Sequence, residues 1–171
     1  TISPKKSIAT TRSFEKYTND FEYVKERVST FAVSCAEKLR KQNSSCNLLT
    51  LFIQTNNFDK DKPQYFRSIS VNLPYQSNSS ITLSKFAIKA FEQIYKEGYQ
   101  YKKAGIIVSG LVSSDQEQLS LFEEENIRHP NLMKAMDGLN KKFGAAKVKL
   151  ASQDLERTWK MRQERLSPCY T

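Results

Sequence analysis

Only one imidazole is available for chemistry in these 171 residues, that of His129, immediately ahead of Pro130. Nucleophilic catalysis of the Ser-His-Asp or Cys-His kind needs a general base beside its nucleophile. Here that base would have to be this single ring at the start of a helix, where a capping or surface role fits better. Cys35, Cys46 and Cys169 are odd in number and have no CxxC spacing, which argues against a disulfide framework and a zinc site and leaves free thiols. Asp59 and Asp61 in NNFDKDKP form a loose acid pair, but Lys60 and Lys62 beside them fit a solvated loop better than a cation site. The acid pair in SSDQE, Ser113 to Glu117, is likewise read as solvated charge, and with 5 glycines there is no phosphate-cradling loop. The sequence therefore sets out no catalytic residue, no metal ligand and no cofactor site.

Its chemistry is that of binding. In QEQLSLF, three apolar side chains, Leu119, Leu121 and Phe122, stand just before the acidic run Glu123 to Glu125. An apolar cluster in such a stretch must be buried somewhere, either against its own chain or as a short linear motif in a partner's pocket. Gln118, Leu119, Ser120, Leu121 and Phe122 fit the Gln-Leu-x-Leu-Phe pentapeptide with which bacterial polymerases and repair proteins dock on the β sliding clamp. Leu and Phe suit an apolar pocket, and the Gln amide suits backbone at its rim.

The charge distribution is uneven. Residues 1–113 hold 17 Lys and Arg against 9 Asp and Glu, residues 114–129 hold 1 against 5, and residues 130–171 hold 9 against 4. A basic surface with a formal net charge of +9 attracts polyanions, and Lys and Arg contacts to phosphate supply most sequence-independent affinity for DNA. Acidic proteins and anionic lipid surfaces would also be attracted. No apolar run is long enough to span a bilayer and the N-terminus has no apolar signal region, so a cytoplasmic, nucleoid-associated protein with no membrane partner is expected.

The elements that must position these groups follow from periodicity. Lys5 to Phe14 reads as an alternating strand. Asn19 with Glu22 gives a capping-box signal for a helix carrying Phe21, Val24, Val28, Phe31, Cys35 and Leu39, about five to six turns long. Leu48 to Gln54 is apolar on both parities, as in an inner strand, and Arg67 to Leu73 alternates. A second helix bears Leu83, Phe86, Ala90, Phe91 and Ile94, with Gly98 placed to stop it, and Ala104 to Val108 is a short buried strand. After Pro130, the residues Leu132, Met136, Leu139 and Phe143 recur at helical steps up to Gly144, and Lys147 to Leu150 suits a short strand.

The fold class expected is thus α+β, a β-α-β-β-α-β four-stranded sheet with two helices on one face and a small helical C-terminal extension. Three segments result: a sheet domain over 1–113, a linker with the pentapeptide over 114–129, and the extension over 130–171. If Ile8, Ile69 and Val71 point at the helices, Ser7, Ala9, Thr11, Ser13, Ser68, Ser70 and Asn72 lie on the open face. Lys5, Lys6, Arg12, Arg67, Lys102 and Lys103 lie in or near the strands, where they would rim that face and meet phosphates.

The chain resembles the C-terminal part of the Y-family translesion DNA polymerases, and within them the UmuC-type branch that forms the catalytic subunit of bacterial DNA polymerase V. KSIATTRSF is similar to that family's first little-finger strand, YKKAGIIVSGL to its last, and QLSLF to its clamp motif. LMKAMDGLNKKFG and WKMRQERLSPCYT resemble the C-terminal extension that other Y-family members generally lack. The resemblance covers essentially the whole chain. It implies a little finger that lies along primer-template DNA, damaged bases included, and contacts mostly backbone phosphates in SOS mutagenesis and lesion bypass. It carries DNA binding over to the segments around Arg12 and around Lys102 and Lys103, and clamp binding to Gln118 through Phe122.

Further partners implied are a UmuD′ dimer, with the extension as the contact, and the RecA filament. The Y-family palm, whose carboxylates hold two Mg²⁺, has no counterpart in these residues, so the segment is expected to bind DNA without extending it, as a piece of a longer polymerase. The end at Thr171 and Cys169 within LSPCY depart from the family pattern and put tail contacts in doubt. The alternative is an RNA- or single-strand-binding sheet module, which calls for aromatics at the centre of the open face where Ser and Asn are expected. An independent nuclease or acyltransferase is the other rival.

Overall fold

The computed structural model describes residues 5–114 and 125–154. The elements run β1 (Ser7–Thr18), α1 (Phe21–Lys41), β2 (Ser44–Thr55), β3 (Phe66–Ser77), α2 (Ser80–Ile94), β4 (Tyr101–Ser109), β5 (Val112–Ser113) and α3 (His129–Phe143). The expected β-α-β-β-α-β order is present, with each of the first four strands longer than its apolar core suggested.

The sheet order is β1-β4-β2-β3, antiparallel throughout, so β2 and β4 are the inner strands. That placement explains why Leu48 to Gln54 is apolar on both parities: an inner strand has neighbours on both edges and its two faces are less exposed. The two-residue β5 pairs with Ser44 and Ser45 at the start of β2, an addition that a segment so short does not announce in sequence.

α1 and α2 cover one face. Val24, Val28, Phe31, Cys35 and Leu39 of α1 and Leu83, Ala87, Ala90 and Phe91 of α2 meet Leu49, Leu51, Ile53, Ala104, Ile106 and Val108 from the inner strands in one core. The N-cap of α1 is Asp20, not Asn19: its carboxylate accepts from the Tyr23 amide at 3.1 Å, the usual way of satisfying a donor that the first turn leaves free. α2 ends at Ile94, before Gly98, which instead supplies a φ of +86° in the turn into β4. Tyrosines fasten that corner, with Tyr65 Oη donating to the Ile94 carbonyl at 2.6 Å and Tyr101 Oη to that of Lys96 at 2.7 Å.

Cys35 and Cys46 are free, buried thiols, and Cys169 lies outside the described residues. Burial pushes the Cys46 thiol up from 9.0 to about 12 and the Tyr101 phenol up from 10.0 to about 12. Both groups hold protons in the folded chain that the unfolded chain releases, so rising pH favours unfolding. Their contribution is complete below pH 9 and is lost progressively between 9 and 12. A urea midpoint measured at pH 11 is therefore expected to fall below that at pH 8, and Cys46→Ala is expected to reduce the drop. An unchanged midpoint would mean that these groups are hydrated in the folded chain.

Lys147 to Leu150 does not form a strand. The segment is turned, and Val148 is held by the Asn140 side chain, whose Oδ1 accepts from the Val148 amide at 2.8 Å while its Nδ2 donates to the Val148 carbonyl at 3.0 Å. One side-chain amide thus satisfies both backbone groups of a residue that would otherwise seek a ladder.

Candidate nucleic-acid interface

The register fixes what the uncovered side of the sheet presents. Reading across β1, β4, β2 and β3, the rows are Ser7–Ser109–Leu48–Asn72, Ala9–Ile107–Thr50–Ser70, Thr11–Gly105–Phe52–Ser68 and Ser13–Lys103–Gln54–Phe66. The outer columns hold the hydroxyl residues Ser7, Thr11 and Ser13 on β1 and Ser68 and Ser70 on β3, as the alternation predicted, together with Ala9, Asn72 and Phe66. Thr50 and Ser70 share a hydrogen bond of 2.8 Å across the strands, leaving the other hydroxyls for a ligand.

The centre departs from the expectation of Ser and Asn. Phe52 lies on the open face, its ring over Gly105, where an added Cβ would stand 2.4 Å from Phe52 Cε1 and 2.5 Å from Thr11 Cγ2. Glycine is there because the ring occupies the space that any side chain would need. Phe66 sits beside it, with ring centroids 6.3 Å apart. Leu48 and Phe52 dilute the polar signal of Thr50 and Gln54 on the outward parity of Leu48 to Gln54, and the register with β3 settles that Phe52 faces outward.

Of the residues assigned to DNA from sequence, Thr11, Ser13, Ser68, Ser70 and Lys103 lie on the open face. Arg12 and Arg67 do not. Arg12 follows Ile8 and Thr10 on the helix-facing parity, with Nη1 donating to the Thr11 carbonyl at 3.0 Å, and Arg67 stands opposite Ile53. Both belong to outer strands, so they flank the face. The Lys102 ammonium donates to the carbonyls of Phe14 at 2.6 Å and Glu15 at 3.2 Å, where the ladder between β1 and β4 breaks register. Its charge also lies 5.2 Å from the Tyr17 ring, and that of Lys62 lies 4.4 Å from the same ring. Lys6 is exposed just ahead of β1. Gln118, Leu119, Ser120, Leu121 and Phe122 lie outside the described residues.

The extension packs on the opposite side. Arg40 forks onto Asp137 of α3 at 2.7 and 2.8 Å and also reaches the Asn78 carbonyl and Ser80 Oγ. Met133 is the buried residue of α3, its sulfur accepting from the Ser80 amide. Glu125 accepts from Ser77 and Thr82, and His129 Nδ1 lies 3.1 Å from Ser79 Oγ, so this histidine joins two elements. Arg27, 2% exposed, meets Asp154, 7% exposed, at 2.5 Å. The helical layer, not the open face, carries the extension. A cleft of about 460 Å³ opens between α1 and α3, and burial pushes the Glu37 carboxyl on its wall above its ordinary value.

The apolar stripe of α3 points outward: Leu132, Leu139 and Phe143 are exposed. A spacing of three and four residues says that they share a face. It does not say that the face is covered, and here the polar fork of Arg40 and Asp137 decides which side docks.

Among the described residues, no group of three or more His, Cys, Asp or Glu comes together to hold a metal ion, and no helix is long and apolar enough to cross a membrane. Asp59 pairs with Lys62 at 3.1 Å.

Residues 5–121 match the family model described as the impB/mucB/samB family C-terminal domain, and residues 130–171 match a domain of unknown function (DUF4113). UmuC of Salmonella typhimurium is 32% identical over 98% of this chain, which spans 40% of that protein's length. Among solved structures, the insertion ternary complex of Dbh DNA polymerase gives a TM-score of 0.51 at 10% identity, over 63% of this chain and 29% of the polymerase. A Y-family DNA polymerase chimera gives 0.52 at 11%, over 65% and 30%. At those identities the likeness is one of fold.

Proposed function

The chain belongs to the impB/mucB/samB family, and from that premise we propose that it is the DNA-gripping C-terminal portion of a Y-family translesion polymerase acting in SOS lesion bypass. The observation that carries this reading is the division of faces. Arg27, Ser29, Thr30, Arg40 and Ser80, which hold the described extension, all belong to the helical layer, while among the described residues the sheet's other face stays open, with Ser and Thr hydroxyls and Lys103 on it. A sheet of that kind suits a phosphate backbone, where hydroxyls and ammonium groups position a duplex without reading its sequence.

On this reading the three segments of 1–113, 114–129 and 130–171 divide the work: a grip on primer-template DNA, a tether to the β sliding clamp, and a platform for UmuD′. The outward stripe Leu132, Leu139 and Phe143 is the surface we assign to UmuD′. The RecA filament is a further partner of the assembled polymerase, and the Mg²⁺-dependent chemistry belongs to a palm that these 171 residues do not include.

Binding of the chain to a primer-template duplex is expected to be weakly sequence-dependent and to fall steeply with salt. If it neutralises about four to six phosphates, affinity drops roughly 10²- to 10³-fold between 50 and 200 mM salt. Fluorescence anisotropy at several salt concentrations measures the slope. Binding that is insensitive to salt would overturn the phosphate-contact reading.

A further inference from the structure

The two ends of the open face differ. Where β2 leaves and β3 enters the sheet, Phe66 is 59% exposed although it begins an outer strand. Its ring leans on that of Phe52 at an interplanar angle of 35°, and Phe52 is itself fixed over Gly105. Lys103 Nζ lies 5.9 Å from the Phe52 centroid, and Gln54 stands between Lys103 and Phe66 in the same row. Lys62 and Lys102 flank Tyr17 at this end of the sheet. A fixed aromatic floor, an exposed ring, an amide and the Lys103 ammonium thus stand together at this end, with two further lysines around Tyr17. Duplex phosphates use the ammonium groups but have no use for the rings. Unstacked bases use both, because every base has a π face and stacking tolerates any sequence.

We infer that this end of the sheet takes an unpaired base of single-stranded DNA, stacked on Phe66 with Phe52 behind it. Lys103 contacts the adjoining phosphate and the Gln54 amide meets the base edge. Charge complementarity selects the polyanion, and the ring pair selects its single-stranded part. The inference deepens the DNA-binding reading above and rests on it.

The test compares three probes on the full chain: a blunt duplex, the same duplex with a short single-stranded overhang, and that overhang with its bases replaced by abasic sites. One stacked base is expected to raise affinity for the overhang roughly tenfold over the blunt duplex. The gain, read as the ratio of overhang to blunt-duplex affinity within each variant, should vanish with abasic sites and in Phe66→Ala, and survive in Phe66→Trp. Phe66 is mostly exposed on an outer strand, so both substitutions leave the core intact. A gain that survives abasic sites or Phe66→Ala would come from phosphates alone and overturn the inference while sparing the duplex reading. Overhang and blunt duplex bound equally would do the same. Failure to bind any of the three would overturn both.

Discussion

Replacing Asp154 with alanine is expected to destabilise the chain by about 3–5 kcal/mol, the usual consequence of leaving one member of a buried ion pair without its partner. Arg27 is 2% exposed and its Nη1 meets Asp154 Oδ2 at 2.5 Å. The guanidinium also lies 4.6 Å over the Tyr23 ring, so it cannot swing into water without leaving α1's packed face. The two residues are 127 apart in sequence, which makes this pair a staple between the first helix and the end of the described extension. Ser29 and Ser152, 2.8 Å apart, stand beside it. Urea unfolding checks the expectation: the midpoint should fall with little change in slope, and Arg27→Met with Asp154→Leu should recover most of the loss, since an apolar pair of similar size avoids the cost of burying charge. A loss below about 1 kcal/mol for Asp154→Ala would mean that the pair is solvated and holds nothing in place.

The second large effect concerns the pentapeptide. Leu121→Ala combined with Phe122→Ala is expected to abolish binding to a β sliding clamp while leaving DNA affinity and stability unchanged. Anchors buried in a partner's pocket commonly contribute about 2–4 kcal/mol each, so losing both lowers affinity by roughly a thousandfold or more, beyond what a micromolar titration detects. The positions on either side of residues 115–124 are tied to the sheet domain. Ser114 donates its amide to the Asn43 carbonyl at 3.0 Å, and Glu125 accepts from Ser77 and Thr82. A clamp held by the pentapeptide would therefore sit close to the DNA-binding domain rather than at the end of a long leash. Calorimetric titration of chain and variant against a bacterial clamp decides the matter. If stability falls together with clamp binding, the apolar trio belongs to the chain's own core.

Much of the fold could be read from the sequence because each element carried its own period. The 3–4 spacing of Val24, Val28, Phe31, Cys35 and Leu39 located α1 and its buried face, and the alternation of Ile69, Val71 and Leu73 located β3 and its orientation. Where two signals competed, the reading was less secure. In Leu48 to Gln54 the parity that faces outward holds Thr50 and Gln54 but also Leu48 and Phe52, so its polar signal is weak beside the wholly apolar Leu49, Leu51 and Ile53, and the aromatic centre of the open side is legible only from the register. Arg12 and Arg67 were drawn to that side by charge, but the two-residue period puts them on the other parity. The docking of α3 was hidden because it depends on Arg40, Asp137 and Met133, a polar fork and one buried side chain that leave no apolar period. The extension's position on the helical layer is a tertiary choice that only long-range partners such as Arg27 and Asp154 reveal.

The division of faces is tested most directly by paired variants that change net charge equally on opposite sides. Ser68→Glu with Ser70→Glu places two negative charges on the open face, where both residues are exposed; Lys85→Ala with Lys89→Ala removes two positive charges from the exposed side of α2. Affinity for a primer-template duplex at fixed salt is expected to fall about tenfold or more in the first pair, since each introduced carboxylate opposes a backbone phosphate at close range, and to change about twofold or less in the second. Equal losses in the two pairs would contradict the account, because DNA would then be responding to the chain's overall charge and not to the open face of its sheet.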